Sequence, residues 1–262
     1  MLPTAALTGY IDVAQVTLYA FWLFFAGLIF YLRREDKREG YPLDSDRYSA
    51  GGRVVVQGFP PMPRPKRFLK THGGTYQAPS GNPDRRDLAA EPLAPWPGAP
   101  LMPTGNPMVD GIGPASYALR DDEPDLTYDG EPRIVPMRVA PDFAVSAADY
   151  DPRGMEVVGA DGRGAGIVRE LWIDRSEPQI LFLETELTGG TGGRSVLVPM
   201  RLARLDAWRR QMKVHSILSH QFADVPRTRN PDGITRLEED KITAYFAGGK
   251  LYATPGRLFP GL

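Results

Sequence analysis

The chain has 262 residues, a formal net charge of −1 and 24% charged residues. That balance excludes a nucleic-acid binder acting through bulk positive charge. Cysteine is absent, which removes disulfides, thiolate metal sites, iron–sulfur clusters and cysteine nucleophiles together; three histidines are too few for a multi-histidine zinc or haem site.

Residues 13–32, VAQVTLYAFWLFFAGLIFYL, form a run of 20 without a charge. At about 1.5 Å per residue a helix of that length crosses the hydrocarbon core of a bilayer. A cleaved signal peptide fits poorly, because no basic residue precedes the run and no small-x-small site follows it. Residues 1–12 carry no Lys or Arg, whereas 33–39, RREDKRE, carry four. The positive-inside rule then puts residues 33–262 in the cytoplasm. Gln15, Tyr19, Trp22 and Ala26 share one helical face with Asp12, and polar and small residues on one face predict packing on other transmembrane helices. Tyr31, Arg33, Arg34 and Lys37 follow at the expected membrane interface, where basic residues favour lipid headgroups. The span offers no histidine to a pigment or haem and no mid-span charge for an ion path.

Residues 33–132 read as an extended cytoplasmic segment. Residues 40–141 contain 18 of the 26 prolines, which rules out long helices and central strands. Val56, Phe59, Phe68, Leu69, Tyr76, Trp96 and Tyr117 are interspersed, so the segment is expected as extended chain laid over a partner. From residue 133 to 262 short apolar runs alternate with turns. Strands are expected at 155–159, 166–174, 179–187, 195–200 and 213–218, with a hairpin turn at 189–194, making a small antiparallel barrel or sandwich. Thr235 and Glu238 form a capping box that opens a helix, with Gly248 and Gly249 expected to end it near Ala247.

Catalytic motifs are missing. Gly162, Gly164 and Gly166 lack the strand–glycine–helix setting of a dinucleotide site and read as a turn. His72, His215 and His220 have no partner at ligand spacing, so no metal site is expected. No nucleophile constellation supports a membrane-anchored hydrolase. The run Glu238 to Lys241 reads as a solvated helix face. Residues 121–131, DDEPDLTYDGE, gather six carboxylates that could share protons and raise one another's pKa.

Several stretches together resemble the H subunit of the purple bacterial photosynthetic reaction centre. They are YLRREDKREGYPL at 31–43, PTGNPMVDGIGPASY at 103–117, IVPMRVA at 134–140, DPRGMEVVGADG at 151–162, WIDRSEPQ at 172–179 and LEEDKITAYFAGGKLYATP at 237–255. The resemblance implies a single N-terminal transmembrane helix with a mainly β cytoplasmic domain, built on a small antiparallel PRC-type barrel with a proline-rich extended segment and a short C-terminal helix. It implies a subunit with no catalytic site of its own, packed on the L and M subunits in the bacterial inner, intracytoplasmic or chromatophore membrane, with its N-terminus in the periplasm. A cytochrome subunit, light-harvesting antenna and membrane lipids are further implied neighbours. Bacteriochlorophyll, bacteriopheophytin, quinones and non-haem iron would be held by the partner subunits, none by ligands of this chain.

The implied role is to cap the cytoplasmic face and support proton delivery to the secondary quinone. Glu177 matches the family's internal acid on that route and is expected to be buried. Asp129 and Glu131 stand where some members carry two histidines, and Thr127 where an acid accompanies them; Asp125 is the nearest remaining carboxylate. Leu181 stands where relatives often carry arginine. The alternative is a single-pass, membrane-tethered PRC-barrel adaptor of another membrane complex.

Overall fold

A computed structural model describes Thr8 and residues 12–49, 52–81, 84–188 and 193–258. The chain divides into two units. One takes Met1–Asp84 and Pro95–Ala99, the other Arg85–Ala94 and Pro100–Leu262. The proline-rich segment is therefore not a unit of its own: its chain is shared between the two.

The first unit opens with helix α1 (Val13–Asp36), 24 residues of which none is buried. Its length and composition suit a membrane span. The helix continues four residues beyond the apolar run because Arg33, Arg34, Glu35 and Asp36 are good or neutral helix formers and no proline interrupts them. Asp12 caps it. The Gln15 N–H donates to Asp12 Oδ1 at 2.7 Å, and the Asp12 N–H donates back to Gln15 Oε1 at 3.2 Å. Beyond the helix, β1 (Leu43–Ser49) pairs with β2 (Gly52–Val56) and β3 (Lys66–Leu69) with β4 (Thr75–Ala78). In the second unit β5 (Ala90–Pro92) pairs with β6 (Leu101–Pro103). The expected extended chain thus folds back on itself in three short antiparallel ladders. Glycine permits the reversal between β3 and β4, where Gly73 and Gly74 hold φ of 90° and 83°. Pro92 and Pro103 are tolerated because they stand at strand ends.

The C-terminal half carries one sheet of seven strands: β7 (Ile134–Pro136), β8 (Glu156–Val158), β9 (Gly164–Asp174), β10 (Gln179–Leu187), β11 (Ser195–Pro199), β12 (Ala203–Asp206) and β13 (Gln211–Val214). The hydrogen-bonded order is β11-β10-β9-β8-β13-β12, with β7 beside the far end of β9. The sheet is not purely antiparallel, since β8 and β13 run parallel. Nor does its ladder close. A single 3-10 turn, Met200–Leu202, carries the chain from edge strand β11 to edge strand β12, so the two edges are a few residues apart and the sheet must curl to let them meet.

The inner face is largely apolar: Val157, Val168, Leu171, Leu183, Val198, Met212, Val214 and Ile217 are fully buried, joined by Ile242 and Phe246 of helix α2 (Arg236–Tyr252). A short α3 (Pro255–Leu258) follows. The expected strand at 213–218 begins earlier, at Gln211, and β12 was not anticipated because LARLD interleaves charge with apolar residues too briefly to show a period. The expected turn at 189–192 lies outside the described residues.

Glycine explains two other departures. Gly248 and Gly249 do not end α2, which continues to Tyr252. A Cβ at Gly248 would stand 2.5 Å from Ala115 Cβ, and one at Gly249 would stand 2.4 Å from both Ser216 O and Ile217 Cγ2. They are close-approach residues inside the helix. Gly166 likewise lies within β9 rather than in a turn, where a Cβ would meet Glu186 O at 2.3 Å.

Candidate functional site

The turn between β9 and β10 carries Glu177. It is tight because Asp174, fully buried at the end of β9, accepts the N–H groups of Ser176 at 2.8 Å and Glu177 at 3.2 Å on Oδ1. Its other oxygen, Oδ2, accepts from Arg133 Nε at 2.9 Å. Arg133 donates again, through Nη1, to Asp125 Oδ2 at 2.7 Å. One guanidinium therefore joins Asp125 of the acidic segment to the base of the Glu177 turn. A buried carboxylate needs such a partner, and the bidentate fork of arginine lets it serve two acids at once.

Glu177 itself is exposed in this chain, against the expectation of an internal acid. Its Oε2 accepts from Gln179 Nε2 at 3.2 Å. The physical reason is its place at the apex of a two-strand connection, where the chain alone offers nothing to cover it.

Asp129 and Glu131 occupy a second turn, closed by Thr127. The Thr127 N–H donates to Glu131 O at 2.8 Å and the Glu131 N–H donates to Thr127 Oγ1 at 3.2 Å. Both acids face solvent. Arg175 lies between the two turns: its N–H donates to Arg133 O at 2.9 Å, and its Nη1 stands 3.9 Å from Glu131 Oε2. Asp125 is thus drawn into the Arg133–Asp174 cluster, Glu131 is tied loosely to Arg175, and Asp129 makes no such contact among the described residues.

The acidic run is not an unbroken group of neighbouring carboxylates. Arginines divide it. Asp121 pairs with Arg236 at 2.8 Å and Asp122 with Arg229 at 2.5 Å.

One participant was missed. Glu239 of α2 lies partly buried beside this cluster, and burial pushes its carboxyl upward; Arg133 and Arg120 oppose the shift while Asp240 and Asp125 add to it. The expected solvated face at 238–241 is therefore corrected. Glu238 is buried too, its Oε1 accepting from the Arg229 N–H and its Oε2 from the Thr235 N–H, both at 3.0 Å. The signal was present in the spacing: Glu239 precedes Ile242 and Phe246 by three and seven residues, on the same stripe. Leu181 packs against the apolar core, which explains how β10 accommodates a leucine there.

A cavity of about 500 Å³ opens beside the Glu177 turn, its lining including Pro178, Gln179, Ile180, Leu205 and Met212. No three His, Asp or Glu side chains are grouped to hold a metal among the described residues.

At the end of α1 the expected interface residues separate. Tyr31 and Arg33 are exposed. Arg34 lines a hollow of about 340 Å³ together with Phe30, Tyr31, Glu35, Arg38, Arg64 and Lys66. Glu35 bridges Arg38 at 2.8 Å and Lys66 at 2.6 Å. Lys37 is not at a lipid surface. It is 1% exposed, and its Nζ donates to the carbonyls of Gln57, Gly58 (2.9 Å) and Pro60, fastening that loop to the helix. An ammonium replaces its hydration shell with three carbonyl oxygens more readily than it enters hydrocarbon. On the span, Gln15 is engaged by the cap, so capping accounts for its polarity. Tyr19, Trp22 and Ala26 are exposed, with Trp22 edge-on to Phe25 at 6.0 Å.

The family model for the photosynthetic reaction centre H-chain N-terminal region matches residues 5–139, and that for the PRC-barrel domain matches residues 145–221. The first covers the span, the ladders and the acidic segment with Arg133; the second covers the sheet from before β8 to beyond β13, including the Glu177 turn. The chain belongs to the photosynthetic reaction centre H-chain family.

Proposed function

We propose that this H subunit, a membrane-anchored companion of the L and M core subunits, caps their cytoplasmic face and conducts protons toward the secondary quinone. The observation that carries this reading is the cluster linking three acidic positions: Asp125 and the Glu177 turn meet on Arg133 and Asp174, and Arg175 spans toward Glu131. The quinone, held by the partner subunits, takes up two electrons and two protons in a site shut off from water. Carboxylates at the surface turn, Asp129 and Glu131, collect protons from solvent. Asp125 and the partly buried Glu239 stand along the way, and Glu177 delivers.

Glu177 gains its burial from the partners. Covered by L and M, its carboxyl is cut off from bulk water, so a proton it carries passes toward the quinone site rather than back to solvent. The excess of Lys and Arg after the span supports a cytoplasmic C-terminal domain with the N-terminus in the periplasm. The exposed face through Tyr19, Trp22 and Ala26 packs on the partners' helices, and the hollow at Arg34 and Tyr31 faces lipid headgroups. The subunit does no chemistry of its own; it positions acids and excludes water.

Flash kinetics on the assembled complex test the reading. Glu177→Gln should slow the proton-coupled second electron transfer by about ten-fold or more, with the first electron transfer unchanged. An unaltered second transfer across pH contradicts the role of Glu177.

A further inference from the structure

The hairpin between β12 and β13 has features that fold stability does not favour. Its four-residue loop runs from Ala207 to Arg210, since Asp206 pairs with Gln211. At its apex Trp208 is 93% exposed. Arg210 holds φ at 52°, the left-handed region where glycine or asparagine costs less. On the strands Arg204 stands directly opposite Lys213, a like-charge pair that weakens a ladder. The hairpin's one acid, Asp206, already accepts from Lys213 at 2.6 Å. The side chains of Arg204, Arg209 and Arg210 are exposed and make no hydrogen bond or ion pair among the described residues.

Strand register shows where this hairpin points. Gln211 of β13 lies beside Glu156 of β8, in parallel, and Glu156 lies opposite Ile167 of β9, antiparallel. The loop before Gln211 therefore extends in the direction in which β9 runs on to Asp174 and the Glu177 turn. The cavity beside that turn supports the proximity, because Pro178 and Gln179 line it together with Leu205 and Met212 of the hairpin strands.

We propose that the Trp208 hairpin is a membrane foot: in the assembled complex its indole seats at the bilayer interface and Arg204, Arg209 and Arg210 bind anionic phospholipid headgroups. This rests on the reading that the Glu177 end of the sheet faces the membrane-embedded partners. An exposed indole belongs at the boundary between headgroup and acyl chain, and guanidinium forks match phosphate oxygens in pairs. Each arginine held near an anionic surface raises attachment about five-fold. Anchored by one helix, the subunit gains a second, charge-dependent contact that keeps the Glu177 turn seated.

The chain has no cysteine, so Ala207→Cys gives a single labelling site in the loop. The complex carrying a fluorophore there is placed in nanodiscs of phosphatidylcholine, with or without phosphatidylglycerol, containing lipid with a headgroup nitroxide. Quenching that grows with phosphatidylglycerol is expected, and Arg209→Gln with Arg210→Gln should reduce that growth about five-fold or more. A label quenched in neither membrane, or shielded equally in both by an acidic protein segment without nitroxide quenching, overturns the foot. Carbodiimide labelling of Glu177 in the same complex separates the two claims. Protected Glu177 with an unquenched label overturns the foot alone. Reactive Glu177 with a quenched label upholds the foot and overturns the reading of the Glu177 end.

Discussion

The two units of the chain solve the burial problem in opposite ways. The second encloses a continuous core between a curled sheet and α2, with Val157, Val168, Leu171, Leu183 and Phe246 out of reach of water. The first buries little of its own. Helix α1 has no buried residue, Phe59 and Leu69 are 80% and 86% exposed, and among the described residues the unit's most enclosed large side chain is a lysine. Apolar surface of that extent in water is unfavourable, which suits a unit whose helix is long and apolar enough to cross a membrane and whose family associates with the L and M core subunits. The second encloses its own core and carries the charged Glu177 turn at its surface.

The sharpest way to separate the units is to damage each in turn. Gly249→Ala drives a Cβ into the Ser216 carbonyl and Ile217. It should destabilise the second unit by about 3 kcal/mol, read as a lower denaturant midpoint of the fluorescence of buried Trp172, while hydrogen exchange in residues 57–59 stays unchanged. Equal loss of protection in both units would show that they unfold together.

Lys37→Met is the converse. It leaves the carbonyls of Gln57, Gly58 and Pro60 without their donor, at a cost of about 2 kcal/mol. Faster amide exchange in residues 57–59 is expected, with the Trp172 transition unmoved. Were Lys37 a lipid-facing residue instead, the substitution would leave that exchange as it was.

The smallest effect concerns Glu239. Burial raises its folded pKa above the unfolded value, so the folded state binds the proton more tightly, and the stability this group contributes at low pH is lost as pH rises from the unfolded pKa through the folded one. Glu239→Gln should therefore stabilise the second unit at neutral pH and do nothing below pH of about 4. A neutral-pH loss of stability would mean that the ion pairs around Arg133 outweigh burial.

Much of this was legible in the sequence, for identifiable reasons. An uncharged run of 20 residues and a T-x-x-E box are strong local signals, and both mark real helices. Strands β9, β10 and β11 showed because each is long or apolar enough to display its pattern. Gly248, Gly249 and Gly166 misled because glycine marks either a chain reversal or a close approach, and only the neighbour, Ala115, Ser216 or Glu186, decides which. Lys37 misled because its carbonyl partners lie 20 to 23 residues away, beyond any local pattern. At the candidate site the acids could be named from sequence, but not their arginine partners: Arg133 meets Asp174 across 41 residues. The exposure of Glu177 could not be read either, since a single acid in a turn carries no local signal of what packs over it.

The cover proposed for Glu177 is open to direct measurement. Carboxyl footprinting with a water-soluble carbodiimide compares the chain alone with the chain assembled on L and M. Glu177 should react freely in the first and be protected in the second, while Asp129 and Glu131, at the water-facing turn, stay reactive in both. Glu177 reacting equally in the two samples would contradict the role assigned to the turn between β9 and β10.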